Sequence, residues 1–359
     1  MFVAWRDLRF ARGRFVLIAA VVALITLLVG FLAGLAGGLA SQNISGVLGL
    51  PGDRLVLQQT SSGATGFSDS SITPDTIATW RHADGVDEVM PVGITQGRAV
   101  AGSEPVAVAL FGLPHTRASS PAADLAPTND SEVGLSAGAA DELGVSSGDR
   151  VTIGEVDYTV TSVGGDLWYS HTPVVAMSPD AWTDVDRGLG GTGEATVLAV
   201  SGDPDWDVVA GSTDTSADTR LRSLGALETF KSEVGSLGLM IVMLFGVSAL
   251  VVGAFFTVWT IQRAGDIAVL KALGGASTRS LVRDALGQAL VVLGVGIAVG
   301  IGAVAALGTV AESVLPFVLS PLTTVVPAAA MALLGLAGAA VALRTVTHAE
   351  PLTALGSNR

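Results

Sequence analysis

The sequence predicts a membrane α-helical protein of four transmembrane helices with a large α/β domain inserted after the first. Three observations carry this reading. Half of the 359 residues are hydrophobic and only 14% are charged. The mean hydropathy of +0.60 is too high for an ordinary soluble domain. Four stretches each run about 20 residues or more without a charge, enough to cross a hydrocarbon core of about 30 Å. Residues 41–236, by contrast, are polar and turn-rich, and too long to stay compact without a core of their own.

The spans fall at 15–40, 237–261, 285–310 and 322–343. Only a helix satisfies its own backbone in lipid, so each reads as a helix. The first is too long for a cleavable signal and lacks a small-residue cleavage site after a short apolar core. Pro327 in the fourth is placed to kink or start it. Inside the insertion, "PVAVALFG" and "RVTIGEVDYTVTSVG" alternate like β-strands. "LSAGAADELGVSSGDRV" reads as a short helix, then a Ser-Gly-Asp turn into a strand. The remaining pieces are an N-terminal segment 1–14, an elbow 262–284, a short loop 311–321 and a tail 344–359.

Charge sets the expected sidedness. Residues 41–236 hold nine Arg and Lys against 27 Asp and Glu, a net charge of −18, while the rest of the chain carries +5. "MFVAWRDLRFARGR" has four arginines against one aspartate. Short connectors rich in Arg and Lys stay cytoplasmic. Four spans put both termini and the elbow on that side of the cell membrane, and place the acidic domain outside. The Ala/Gly/Val/Asp bias, with lysine only at 231 and 271, suggests a bacterium with a GC-rich genome.

The elbow carries Arg263, Lys271, Arg279 and Arg283. Ile267, Leu270 and Leu273, then Leu281 and Ala285, recur at helical spacing. Gly274-Gly275 ends one helix, and Ser277 or Thr278 is placed to cap the next. This is a helix–turn–helix at the membrane surface, suited to anchoring topology or to docking a cytoplasmic partner.

Several chemistries are excluded. Cysteine is absent, so there is no disulfide or thiolate metal site. No G-x-x-x-x-G-K-[ST] loop is present, so ATP chemistry must come from another subunit. "GDPDWDVV" lacks the glycine and glutamate of a calcium loop and reads as a solvated acidic turn. Ser170-His171 has no nucleophile elbow, so no catalytic residues and no enzyme activity are expected. Nothing points to nucleic acid. Gly30, Gly34 and Gly38, and Gly296 and Gly300, are spaced by four and read as helix-packing seams.

Together these features resemble the FtsX/MacB-type permeases of ABC transporters. The resemblance rests on the four-span plan and on "GDIAVLKALGGASTRSLVRDALGQ", which is similar to that family's ATPase-docking stretch. Asp266 stands where the family more often has Glu. "AWRDLRFARGRFVLI" resembles its amphipathic N-terminal helix, "LSAGAADELGVSSGDRVTI" its MacB-like periplasmic core, and "RTVTHAEPLTALGS" its basic ending. The resemblance implies a homodimer working with a dimer of separate ABC ATPases. These would couple through Arg263, Asp266, Leu270, Lys271, Leu273, Gly274 and Arg279.

Two further stretches, "LWYSHTPVVAMS" and 227–263, look like haem-efflux permeases of the HrtB type. That implies haem as transported ligand, with no intrinsic cofactor. Without cysteine, axial ligands must come from His, Met, Tyr or a carboxylate. Tyr169 and His171, two apart, would share one face of a strand. Glu233, Leu237, Met240 and Leu244, spaced by four, three and four, form one stripe across the outer boundary of the second span, with Met243 beside it. Glu233, Met240, His171 and Tyr169 are therefore candidate ligands of haem iron. The same residues also suit blander roles. Met240 and Met243 fit packing or lipid-facing positions, Glu233 fits a solvated interfacial carboxylate, and Tyr169 and His171 fit the surface of a β domain. His82, His115 and His348 have no partner at ligand spacing. The family also includes permeases for lipid, lipoprotein or peptide and subunits that signal across the membrane without transport.

Overall fold

The computed structural model describes residues 12–116, 119–262 and 278–347. Most of the elbow, the segment before Arg12 and the tail beyond Thr347 lie outside the described residues. The chain divides into two compact units, one spanning residues 39–234 and the other made of the sequence on either side.

Four helices are long and apolar enough to cross a membrane. These are α1 (Arg12–Leu48), α7 (Glu228–Gln262), α8 (Thr278–Ala311) and α9 (Pro321–Thr347). Helix α1 continues to Leu48 rather than stopping at Ala40, and α7 begins at Glu228 rather than Leu237. The apolar run marks only what lipid must cover, and a helix continues past it wherever its next turns find a core. Here Val47 is buried in the inserted domain, with Ile44, Leu48 and Phe230 packed against the same cluster. Ser320 caps α9, accepting from Thr323 N at 3.2 Å, and Pro321 fills its first position. Pro327 therefore lies inside that helix and does not start it.

The glycine seams join α1 to α8 and to the loop after it. A Cβ on Gly30 would come within 2.8 Å of Val304, and one on Gly300 within 2.6 Å of Thr26. Gly34 faces the ring of Phe317, and Gly38 faces the Pro316 carbonyl. Phe317 in turn stacks at 5.0 Å on Phe31. Small residues let these segments approach to backbone distance.

The inserted unit is built on β1 (Arg54–Gln58), β2 (Val86–Val100), β3 (Pro105–Gly112), β4 (Glu132–Leu135), β5 (Arg150–Ile153), β6 (Val156–Val163), β7 (Trp168–Tyr169), β8 (Thr172–Met177), β9 (Val197–Gly202) and β10 (Thr215–Thr219). Strand order is β10-β1-β9-β2-β3-β8-β4-β6-β5, with β7 paired to β8. The 15-residue β2 serves two layers. Its first half pairs with β9 in an antiparallel sheet. Its second half pairs with β3, and at Ala99↔Ile153 with β5, which closes β2-β3-β8-β4-β6-β5 into a barrel.

Short helices cover these layers. Helices α2 (Pro74–His82) and α5 (Trp206–Ser212) cover the open sheet around Trp80 and Leu198. Helices α3 (Ala137–Leu143) and α4 (Pro179–Gly188) pack with the barrel interior around Leu110, Val151 and Trp182. A four-residue helix, α6 (Arg220–Ser223), follows β10. Local chemistry sets the ends of α3. Ser136 accepts from Ala139 N, and Gly144 turns the chain at φ 66°. The acidic turn at Asp205 is an N-cap for α5, accepting from Val208 N at 3.2 Å.

Candidate functional site

The inserted unit gathers a polar cluster from three distant parts of the sequence. Its centre is the hairpin β7–β8, where Tyr169 pairs with Thr172 across a two-residue turn. Ser170 and His171 form that turn at φ 47° and 65°. Two consecutive left-handed residues are the signature of a type I′ turn, which usually takes Asn-Gly. Non-glycine residues are disfavoured there, so other contacts must hold the turn. Backbone bonds supply them: Ser170 N donates to Asn43 O at 3.1 Å, and His171 N donates to Gln42 O at 3.0 Å. Trp168 N also donates to Ser45 Oγ at 2.9 Å. The tip is thus docked onto the last turns of α1.

This docking aims His171 at the first turns of α7. Nε2 of His171 lies 2.8 Å from Glu233 Oε1, with both side chains about a third exposed (33% and 32%). The fully buried Asn43 donates from Nδ2 to Glu233 Oε2 at 3.3 Å, and its Oδ1 accepts from Thr229 Oγ1 at 3.0 Å. Glu233 therefore has partners on both oxygens. An imidazole that donates Nε2–H to a carboxylate presents Nδ1 as its basic nitrogen, an arrangement common behind metal-ligating histidines. Among the described residues, no three His, Cys, Asp or Glu cluster to form a metal site.

Sequence spacing misplaced Tyr169. It does not share a strand face with His171, because β7 ends at Tyr169 and His171 belongs to the turn. Tyr169 is 8% exposed and packs edge-on against Phe111 at 5.9 Å and Phe67 at 6.2 Å. Burial pushes its phenol pKa well up. Leu237, Met240 and Met243 belong to the other unit, where both methionines are exposed. Asn43 and Thr229 escaped the sequence reading. Arg263, Asp266, Leu270, Lys271, Leu273 and Gly274 lie outside the described residues, and Arg279 falls in the first turn of α8. His82 bonds through Nδ1 to Ala78 O of its own helix.

Comparison with known proteins bears on the helical part most directly. Residues 238–351 match the family described as the FtsX-like permease C-terminal domain. This stretch is an FtsX-like permease domain. It contains most of α7, all of α8 and α9, and the elbow between α7 and α8. Over 362 residues, covering 99% of both chains, the sequence is 23% identical to a Staphylococcus haemolyticus protein named for a hemin transport system, permease protein HrtB. A Staphylococcus epidermidis protein of the same name is 23% identical over 366 residues, covering both chains fully.

The inserted unit has likenesses of its own. One is the periplasmic region of MacB from Actinobacillus actinomycetemcomitans, at 11% identity and TM-score 0.36, covering 49% of this chain and 92% of that one. Another is the extracellular domain of the ABC-type transporter YknZ from Gram-positive bacteria, at 12% identity and TM-score 0.32, covering 46% and 98%. The chain thus carries an FtsX-like permease domain over residues 238–351 and four helices long and apolar enough to cross a membrane, as expected of a multi-pass membrane protein.

Proposed function

We propose that the chain is the permease subunit of an ABC-type efflux pump that exports haem outward from the membrane. It works as a homodimer, with the inserted domain outside the cell and both termini in the cytoplasm. A separate pair of ATPases docks at the 262–284 elbow, and their ATP-driven closure tilts the spans and expels the ligand. The His171–Glu233 pair is the observation that carries the haem reading. A carboxylate-oriented imidazole is a suitable axial ligand. Met240 and Met243 are candidates on sequence grounds alone, since iron also accepts thioethers. The hemin-transport names of the full-length relatives support the same ligand.

Hemin titrated into the purified protein in nanodiscs tests this. A saturable Soret shift is expected, weakened in His171→Ala, Glu233→Ala and Met240→Ala. Spectra identical to those of empty nanodiscs, or unchanged in all three variants, would overturn the haem assignment and leave a permease for another amphipathic substrate.

A further inference from the structure

The inserted unit contains a cleft of about 570 Å³, within the size range of small-molecule sites. It opens beside the hairpin, and His171 does not line it. Tyr169 and Trp182 give it an aromatic wall, and Asp69, Asp186, Glu194 and Glu228 give it an acidic one. Among the described residues no Arg or Lys lines it, and none forms a salt bridge with these four carboxylates.

The carboxylates divide into two kinds. Asp186 is buried and accepts from Thr95 Oγ1 and from Gly193 N at 2.9 Å, and Glu194 accepts from Ser71 Oγ at 2.5 Å. These two shape the loop. Asp69 and Glu228 are exposed at the cleft and carry its uncompensated charge.

Trp182 adds an independent observation. It is 3% exposed, and its Nε1–H is buried without a hydrogen-bond partner among the described residues. Its ring lies over Gly93 and Gly112, paired across β2 and β3, where a Cβ would stand 2.3 Å and 2.7 Å from indole carbons. The same ring also lines a second cavity of about 330 Å³. A buried donor without an acceptor in a cleft wall is a feature that a bound acceptor would satisfy.

We infer that this cleft binds a small organic cation: an amine with an ether or carbonyl oxygen, its charge toward Asp69 and Glu228 and its oxygen toward the Trp182 edge of the wall. The two exposed carboxylates supply the attraction. The anionic propionates of haem are repelled by the same charges, so this site is distinct from the one at His171.

Fluorescence anisotropy of rhodamine 6G, a flat ester-bearing cation, tests the site on the full chain in detergent, with fluorescein as anionic control. Saturable binding of rhodamine 6G alone is expected, weakened roughly three- to tenfold by Asp69→Asn with Glu228→Gln. Gln96→Lys, an exposed change on the rim, should weaken it similarly without touching either carboxylate. The hemin titration should be unaltered in all these variants, which separates this site from the haem proposal. Parent-like affinity in both the double variant and Gln96→Lys, equal binding of fluorescein, or no saturable binding would overturn the inference.

Discussion

Asn43 and Glu233, 190 residues apart in sequence, are joined side chain to side chain at 3.3 Å, with His171 closing on the other carboxylate oxygen at 2.8 Å. One carboxylate on α7 thus ties together the end of α1 and the tip of the β7–β8 hairpin. Glu233→Ala leaves a fully buried amide and an imidazole each short of a partner. The expected loss of stability is about 1–2 kcal/mol, most of it from the buried amide, since the His–Glu pair is a third exposed and screened. A double-mutant cycle with His171→Ala should give a coupling of about 0.5 kcal/mol. Coupling indistinguishable from zero would mean that the pair does not hold the hairpin.

The turn itself offers a gain. Ser170 sits at φ 47°, where asparagine is better tolerated, and its backbone N–H bond to Asn43 O does not depend on its side chain. Ser170→Asn should raise stability by about 0.5–1 kcal/mol, read as a higher thermal midpoint in detergent. A lower midpoint would show that the 3.4 Å contact of Ser170 Oγ with Thr229 Oγ1 matters more than backbone strain.

These two predictions mark where sequence reading succeeded and where it stopped. The spans were legible because uncharged runs of that length have one solution in lipid. The short helix α3 was legible in "LSAGAADELGVSSGDRV" as a helical run ahead of a Ser-Gly-Asp turn, and Ser136 and Gly144 bound it through local chemistry. The hairpin was not legible, since Ser-His lacks the Asn-Gly signal and strict alternation made Tyr169 and His171 look like strand neighbours. His171 and Glu233 were each singled out, but their pairing was not, because it depends on Asn43 and on a docking that no local period encodes. Nor did spacing reveal that α1 outruns its lipid-length stretch by two turns, which are buried by tertiary contacts and not by membrane.

The helical unit gives a prediction graded by what each glycine meets. A Cβ on Gly38 would fall 1.9 Å from the Pro316 carbonyl oxygen, a backbone atom that cannot rotate away. One on Gly34 would meet the Phe317 ring at 2.3 Å, and one on Gly246 would meet nothing within 4 Å. Gly38→Ala should therefore destabilise most and Gly34→Ala next, in a range of about 1–3 kcal/mol. Gly246→Ala should be neutral or slightly stabilising through helix propensity. Thermal unfolding of the three variants in one detergent checks the order. A destabilising Gly246→Ala with a silent Gly38→Ala would refute the packing seam.

The chain has two tyrosines, and both are in the inserted unit. Burial raises the Tyr169 phenol pKa, and burial followed by Asp184 and Asp130 raises that of Tyr158. Both folded-state values thus exceed the unfolded value of about 10. The resulting stability is fully present below pH ~10 and is lost as pH rises through the folded values, because the unfolded chain releases these protons first. Absorbance at 295 nm should accordingly show little tyrosinate at pH ~10 while the protein stays folded. It should then rise steeply together with loss of the β-sheet circular dichroism. In Tyr158→Phe the steep phase should persist, since burial raises the Tyr169 phenol far above its ordinary value. Ordinary titration near pH ~10 by a protein with intact circular dichroism would place the Tyr169 ring in solvent and disprove its packing between Phe67 and Phe111.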